Sequence, residues 1–146
     1  MRAHRSTRSF TAKSEAYVDS SAWIAALDPS DEFHEVFARL FHNPPRLITS
    51  ALVVSEVYTW LMRRHNSNRA MQFFEFLSSL PAVMIRPFDT ADIQAAIAIL
   101  NRFLDQRLTL ADAHGLAILR DRKLSHCWST DRHLALTGAS LPIYRS

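Results

Sequence analysis

Short apolar runs alternate with longer stretches of helical period along this chain. "AYV" (16–18) reads as a strand closed by Asp19, and "SSAWIAAL" after it as a brief helix stopped near Asp28-Pro29. Ser30 is the expected N-cap of "DEFHEVFARLF", whose first turn is acidic. Asn43-Pro44-Pro45 breaks that helix, and "RLIT" (46–49) reads as a second strand. Thr49 or Ser50 then caps a helix through "ALVVSEVYTWL" (51–61). "NSNRAMQFFEFLSSL" is a further helix with Phe73, Phe76, Leu77 and Leu80 on one side; Phe74 widens that stripe and Pro81 ends the helix. "AVMIRPF" (82–88) is a third strand. Asp89 or Thr90 caps "DTADIQAAIAILNRFLD", in which Ile93, Ile97, Leu100 and Leu104 share a face. "TLADAHGLAILRDR" is another helix, "HCWST" (126–130) a fourth strand, and "LPIY" near the end a fifth. Strands alternating with helices predict an α/β sandwich around a mainly parallel sheet.

The length of 146 residues suits one domain with a single sizeable core. No apolar run reaches the roughly 20 residues needed to span a bilayer, so no membrane role is expected. The single cysteine, Cys127, excludes an internal disulfide and fits a reducing, cytoplasmic setting. The net charge of +3 is unevenly placed. Residues 1–15 carry Arg2, Arg5, Arg8 and Lys13 against Glu15 alone, so the remaining body is neutral. A basic, Ser-rich leader of this kind suits a transit peptide, a nucleic-acid-binding arm or a disordered start, and disorder is its commonest fate. Residues 16–146 are then the folded domain.

Four carboxylates sit in or beside segments expected to be buried. Asp19 ends the first strand, Glu56 lies in an apolar helix, Asp112 stands between Leu108 and Leu116, and Asp131 follows the strand "HCWST". In an open parallel sheet, sites form beyond the carboxyl ends of the strands. Asp19 and Asp131 fall there, and Glu56 and Asp112 come early in helices that could point into the same crevice. Clustered carboxylates repel, and a hard divalent cation is the natural compensation. Such a centre polarises a phosphoryl oxygen and generates a nucleophilic water, which points to phosphodiester hydrolysis. Each acid also has a plainer reading. Asp19 and Asp131 could cap the helices that follow them, Asp112 could serve its helix dipole, and Glu56 could reach solvent or pair with Arg63.

The segments "AYVDSSAWIAAL", "ITSALVVSEVYTWL", "LTLADAHGLAIL" and "WSTDRHLAL", in that order, resemble the PIN domain, and in particular its VapC-type toxin ribonucleases. The likeness spans about residues 16 to 143, and "STDRHL" is close to the family's Thr-x-Asp-x-x-Phe ending. It implies a PIN-like three-layer sandwich with about five strands. It implies a Mg²⁺ or Mn²⁺ site built from Asp19, Glu56, Asp112 and Asp131. The activity implied is endoribonuclease cleavage leaving a 5′-phosphate and a 3′-hydroxyl, in a homodimeric toxin restrained by a cognate antitoxin. Asp19 and Asp112 then look like direct or water-mediated ligands, Glu56 like an acid that orients water, and Asp131 like a more peripheral fourth acid. Ser20, Asp105, Thr109 and Thr130 are supporting candidates. Relatives usually begin their first strand almost at residue one; here it starts about fifteen residues later.

Arg63, Arg64, Arg107 and Arg132 are the best candidates for RNA phosphate contacts. Trp23, Trp60 and Trp128 read as core residues, and the Phe73–Phe76 patch as core or as a dimer or antitoxin surface. His114, His126 and His133 lie near the proposed site in sequence but read as structural or surface histidines, since no His-x-x-x-His zinc pattern appears. An Asp-x-Asp phosphatase is excluded by Ser21, two residues after Asp19. A phosphate-cradling loop is excluded by a chain whose two glycines are Gly115 and Gly138. The rival from another class is a non-catalytic PIN-like module that binds RNA or protein.

Overall fold

The computed structural model describes residues 15–144. The expected disordered leader therefore lies almost wholly outside the described residues. Four strands form one sheet: β1 (Ala16–Val18), β2 (Leu47–Ser50), β3 (Val83–Arg86) and β4 (Cys127–Trp128). Their order is β3-β2-β1-β4, and every pairing is parallel. Six α-helices accompany them: α1 (Ser20–Leu27), α2 (His34–His42), α3 (Ala51–Arg64), α4 (Ser67–Ser79), α5 (Thr90–Arg102) and α6 (Leu110–Asp121).

The period-2 alternation of the short strands sorts their side chains into two cores. Ala16, Val18, Leu47 and Trp128 face α1 to α4, where Trp23, Phe37, Phe41 and Phe73 fill the space. Tyr17, Ile48 and Cys127 face α5 and α6, against Ile99, Ala113 and Leu116. The expected three-layer sandwich follows, with β1, β2 and β4 buried between helices as parallel sheets require, while the edge strand β3 leaves Met84 and Ile85 exposed. Trp23 is the hub of the first core, with ring centroids 4.9 Å from Phe41 and 5.7 Å from Phe73. Its indole N–H donates to Thr49 Oγ1 at 3.3 Å, and that hydroxyl donates to the Val18 carbonyl at 2.7 Å, so the buried polar atoms are satisfied. The Phe73–Phe76 patch is core: Phe73 is fully buried and Phe76 lies edge-on to Trp23 and Phe41.

Four expectations need correction. The segment "LPIY" is no fifth strand. Pro142–Tyr144 forms a 3-10 turn, because Pro142 has no N–H to continue a ladder, and what remains is a parallel bridge between His126 and Ser140. Ser30 is not the N-cap of α2. Asp28 accepts from Ser30 N–H and hydroxyl, Asp31 Oδ1 accepts from Phe33 N–H, and the chain turns until the helix starts at His34. The apolar face of α5 is rotated from the one expected. Ile93 and Ile97 are exposed, and Ala96 and Ile99 are buried instead. The stripe that meets α6 is Asp92, Ala96 and Ile99: Ala96 and Ile99 pack in its core, and Asp92 Oδ1 lies 3.2 Å from Nε2 of the buried His114 on α6. Leu104 lies beyond the helix, in a 3-10 turn, and is 76% exposed.

Candidate active site

The carboxyl edge of the sheet collects side chains from four separate segments. Asp19 follows β1 and occupies the N-cap position of α1, yet its carboxylate makes no capping bond. Oδ2 instead accepts from Ser129 Oγ at 2.9 Å and from Ser21 Oγ at 3.2 Å. Ser129 Oγ in turn accepts from Asp131 N–H at 2.9 Å, and Ser21 Oγ accepts from Thr130 N–H at 3.0 Å. Two hydroxyls thus tie Asp19 to the turn after β4, leaving it 4% exposed.

Ser50 ends β2 and caps α3 by accepting from Leu52 N–H at 3.0 Å. The helix it starts presents Val53 and Val57 to the core and leaves Glu56 between them on the outer side, exposed. Glu56 thus reaches solvent, the plainer of its two sequence readings, from a helix whose other side is core. Its Oε2 accepts from Ser20 Oγ at 3.2 Å, and among the described residues it makes no ion pair with Arg63. Asp112 is the third residue of α6. It forms a capping box with Thr109: Asp112 N–H donates to Thr109 Oγ1 and Thr109 N–H to Asp112 Oδ2, both at 3.1 Å. Asp131 caps the 3-10 turn Arg132–Ala135 by accepting from His133 N–H at 2.9 Å. One donor atom each from Asp112, Asp131 and His133 falls within 4.8 Å of the others.

The acids feel one another. Burial, the largest cause, and then the charge of Asp112 push the Asp19 pKa from 3.8 up to about 6, against the lowering pull of the Ser129 hydroxyl. Glu56 is raised too, first by partial desolvation on its inner side and then by the charges of Asp19 and Asp112. Asp112 is raised by burial and then by Asp131. A divalent cation would reverse these shifts, and a donor set made mainly of carboxylate oxygens is what a hard cation takes. The residues present fit such an ion.

The supporting candidates divide. Ser20 bridges toward Glu56, and Thr109 holds Asp112. Thr130 acts through its backbone, its N–H on Ser21 and its carbonyl accepting from Tyr144 Oη. Asp105 is exposed on the turn Leu104–Gln106, where it accepts from the Gln106 amide. Arg63 and Arg64 line a concave surface on α3 together with Glu56 and Trp60. Trp23 and Trp128 are core, but Trp60 is partly exposed on that surface. Arg132 stacks on Tyr144, its guanidinium carbon 4.6 Å from the ring centroid, and Arg107 is exposed with a left-handed φ of 52°. The residues not foreseen are Ser21 and Ser129, and His133, read in the sequence as a structural or surface histidine, lies 3.1 Å from Asp131. Ser129 lies within the strand-end motif "WSTDRHL", where inward alternation after Cys127 was the available clue.

The sequence model of the PIN domain matches residues 16–139. The chain belongs to the PIN domain family. Among solved structures, this PIN domain is similar to Mycobacterium tuberculosis VapC20, a sarcin–ricin-loop-cleaving toxin, at 24% identity and a TM-score of 0.76, covering 86% of this chain and 96% of that one. It is also similar to a toxin–antitoxin complex from Klebsiella pneumoniae (18% identity, TM-score 0.61, 87% and 97% covered). A third similar structure is VapBC2 of Rickettsia felis bound to promoter DNA (10%, 0.59, 87% and 96%). No curated protein matches the chain. Among the described residues no helix is long and apolar enough to cross a membrane.

Proposed function

We propose that this PIN domain is a Mg²⁺- or Mn²⁺-dependent endoribonuclease acting as the toxin of a type II toxin–antitoxin pair. The observation that carries the reading is the gathering of Asp19, Glu56, Asp112 and Asp131 at one edge of the sheet, with three of them raised above their ordinary pKa. The bound cation would supply Lewis-acid stabilisation of a phosphodiester and a more acidic water. Asp19 and Asp112 hold the buried side of the centre, and Asp131 holds the outer side. Glu56, exposed beside Ser20, is placed to orient water. Trp60, Arg63 and Arg64 continue outward from Glu56 along α3 and offer a stacking face and two cations to a single strand. The similarity to VapC20 makes sarcin–ricin-loop RNA the first substrate to try. The toxin–antitoxin complexes it is similar to support a cognate antitoxin, and the toxin itself is a homodimer in this reading.

The test is RNA cleavage by purified protein with Mg²⁺ or Mn²⁺, stopped by EDTA and abolished by Asp19→Ala or Asp112→Ala without loss of fold. Cleavage at the wild-type rate by Asp19→Ala would refute the site. Acid-dependent growth arrest on induction tests the toxin role. RNA binding with no cleavage under any divalent ion would favour the non-catalytic module.

A further inference from the structure

We infer that His133 is itself a metal ligand of this centre and biases it toward Mn²⁺ over Mg²⁺. The inference rests on reading the acids as a metal centre. His133 Nδ1 lies 3.1 Å from Asp131 Oδ1. Two ligands about 2.1 Å from one ion and at right angles to each other stand about 3 Å apart, so this pair already has the spacing of neighbouring ligands. Asp112 supplies the third donor atom within 4.8 Å.

The local fold explains why His133 points there. Asp131 accepts its backbone N–H, and the next residue, Leu134, is fully buried and pins the turn. Arg132, on the other side, is held against Tyr144. An imidazole nitrogen is a poor donor to Mg²⁺, which wants oxygens, and a good one to first-row transition ions. Mn²⁺ shares with Mg²⁺ the preference for carboxylate oxygens, but as the first of the transition-ion series it tolerates a nitrogen donor better, so one imidazole added to two carboxylates tips the pair toward Mn²⁺.

The experiment titrates the full chain, without RNA, with Mn²⁺ and with Mg²⁺ by calorimetry, and takes pulsed EPR spectra of the one-to-one Mn²⁺ complex. The wild type should bind Mn²⁺ at least about tenfold more tightly than Mg²⁺ and show the nitrogen coupling of a coordinated imidazole. His133→Gln should lose the coupling and at least about tenfold in Mn²⁺ affinity, the scale on which metal-site partners act, while Mg²⁺ affinity stays nearly constant. His133 is partly exposed, so the fold should survive, and circular dichroism of His133→Gln and His133→Ala checks this. A wild-type Mn²⁺ complex without nitrogen coupling overturns the inference and leaves the acid centre standing. Equal loss of both ions in His133→Gln overturns it too, because His133 would then act by positioning Asp131. Binding of neither ion overturns both readings.

Discussion

Asparagine at position 19 keeps the shape of the side chain and removes its charge. Asp19 is 4% exposed, and its burial, with the Asp112 charge behind it, lifts its pKa from 3.8 to about 6. At pH values between these two, the folded protein holds a proton on this group that the unfolded chain has released. Stability from this group is therefore present below pH 4, falls as pH rises toward 6, and levels off above. A shift of this size corresponds to about 3 kcal/mol at neutral pH, a large part of a typical total of about 5–15 kcal/mol. Asp19→Asn carries none of that loss, and its amide oxygen can still accept from Ser129 and Ser21. Urea unfolding in EDTA at pH 4 and pH 8 should show wild type losing about 2–3 kcal/mol relative to the variant. At about 2–4 °C per kcal/mol, the variant should melt several degrees higher at pH 8. Saturating Mn²⁺ should reverse the order, since an ion bound only by the folded wild type stabilises it. Equal pH dependence in the two proteins, or a variant less stable than wild type at pH 8 in EDTA, would refute the reasoning.

Glu56→Gln should leave the melting temperature almost unchanged, because Glu56 is exposed, yet strongly reduce RNA cleavage; full activity would remove it from the site. Gly115→Ala should lower stability by about 1–3 kcal/mol, because the new Cβ would stand 2.9 Å from Cε1 of the fully buried Tyr17; an unchanged melting curve would refute the close approach. Asp112→Asn can still accept the Thr109 N–H and should fold normally but not cleave, whereas Asp112→Ala should also lose about 1 kcal/mol of helix capping; equal stabilities would refute the capping role. Arg63→Ala with Arg64→Ala should weaken single-stranded RNA binding and flatten its salt dependence by about 0.7 for each phosphate that is no longer neutralised; an unchanged slope would place the RNA elsewhere.

The alternation of strands and helices is legible in the sequence because each strand is short, apolar and closed by a cap or a proline. Asp89 and Ser50 cap the helices that follow them, as their positions in the chain suggest. The rotation of α5 is not legible. Ile93 and Ile97 form a good apolar stripe, but the face that packs carries the small Ala96 with Ile99 and ends on Asp92 beside the buried His114, and a hydropathy pattern ranks that mixed face below the isoleucine one. The start of α2 is hidden for a related reason: Asp28 takes the hydroxyl of Ser30 at 2.6 Å, so a good capping residue is used in a turn instead.

At the site, the plainer role and the functional role of each acid are not rivals. Asp131 does cap its helical turn, as its sequence position suggests, and Asp112, placed in the first turn of its helix, closes the capping box whose cap is Thr109. An ionised carboxylate offers about four acceptor sites, and a cap uses one or two. The same bonds that satisfy the backbone fix the carboxylates in direction, which is what a metal centre needs from its ligands. Asp19 is the informative exception. It occupies an N-cap position and makes no cap, and it gives its acceptors to hydroxyls from Ser21 and Ser129 that hold it against the turn bearing Asp131. A buried carboxylate that forgoes the local bond its backbone position offers, and whose burial raises its pKa, is what the proposed metal centre would account for and a helix cap would not.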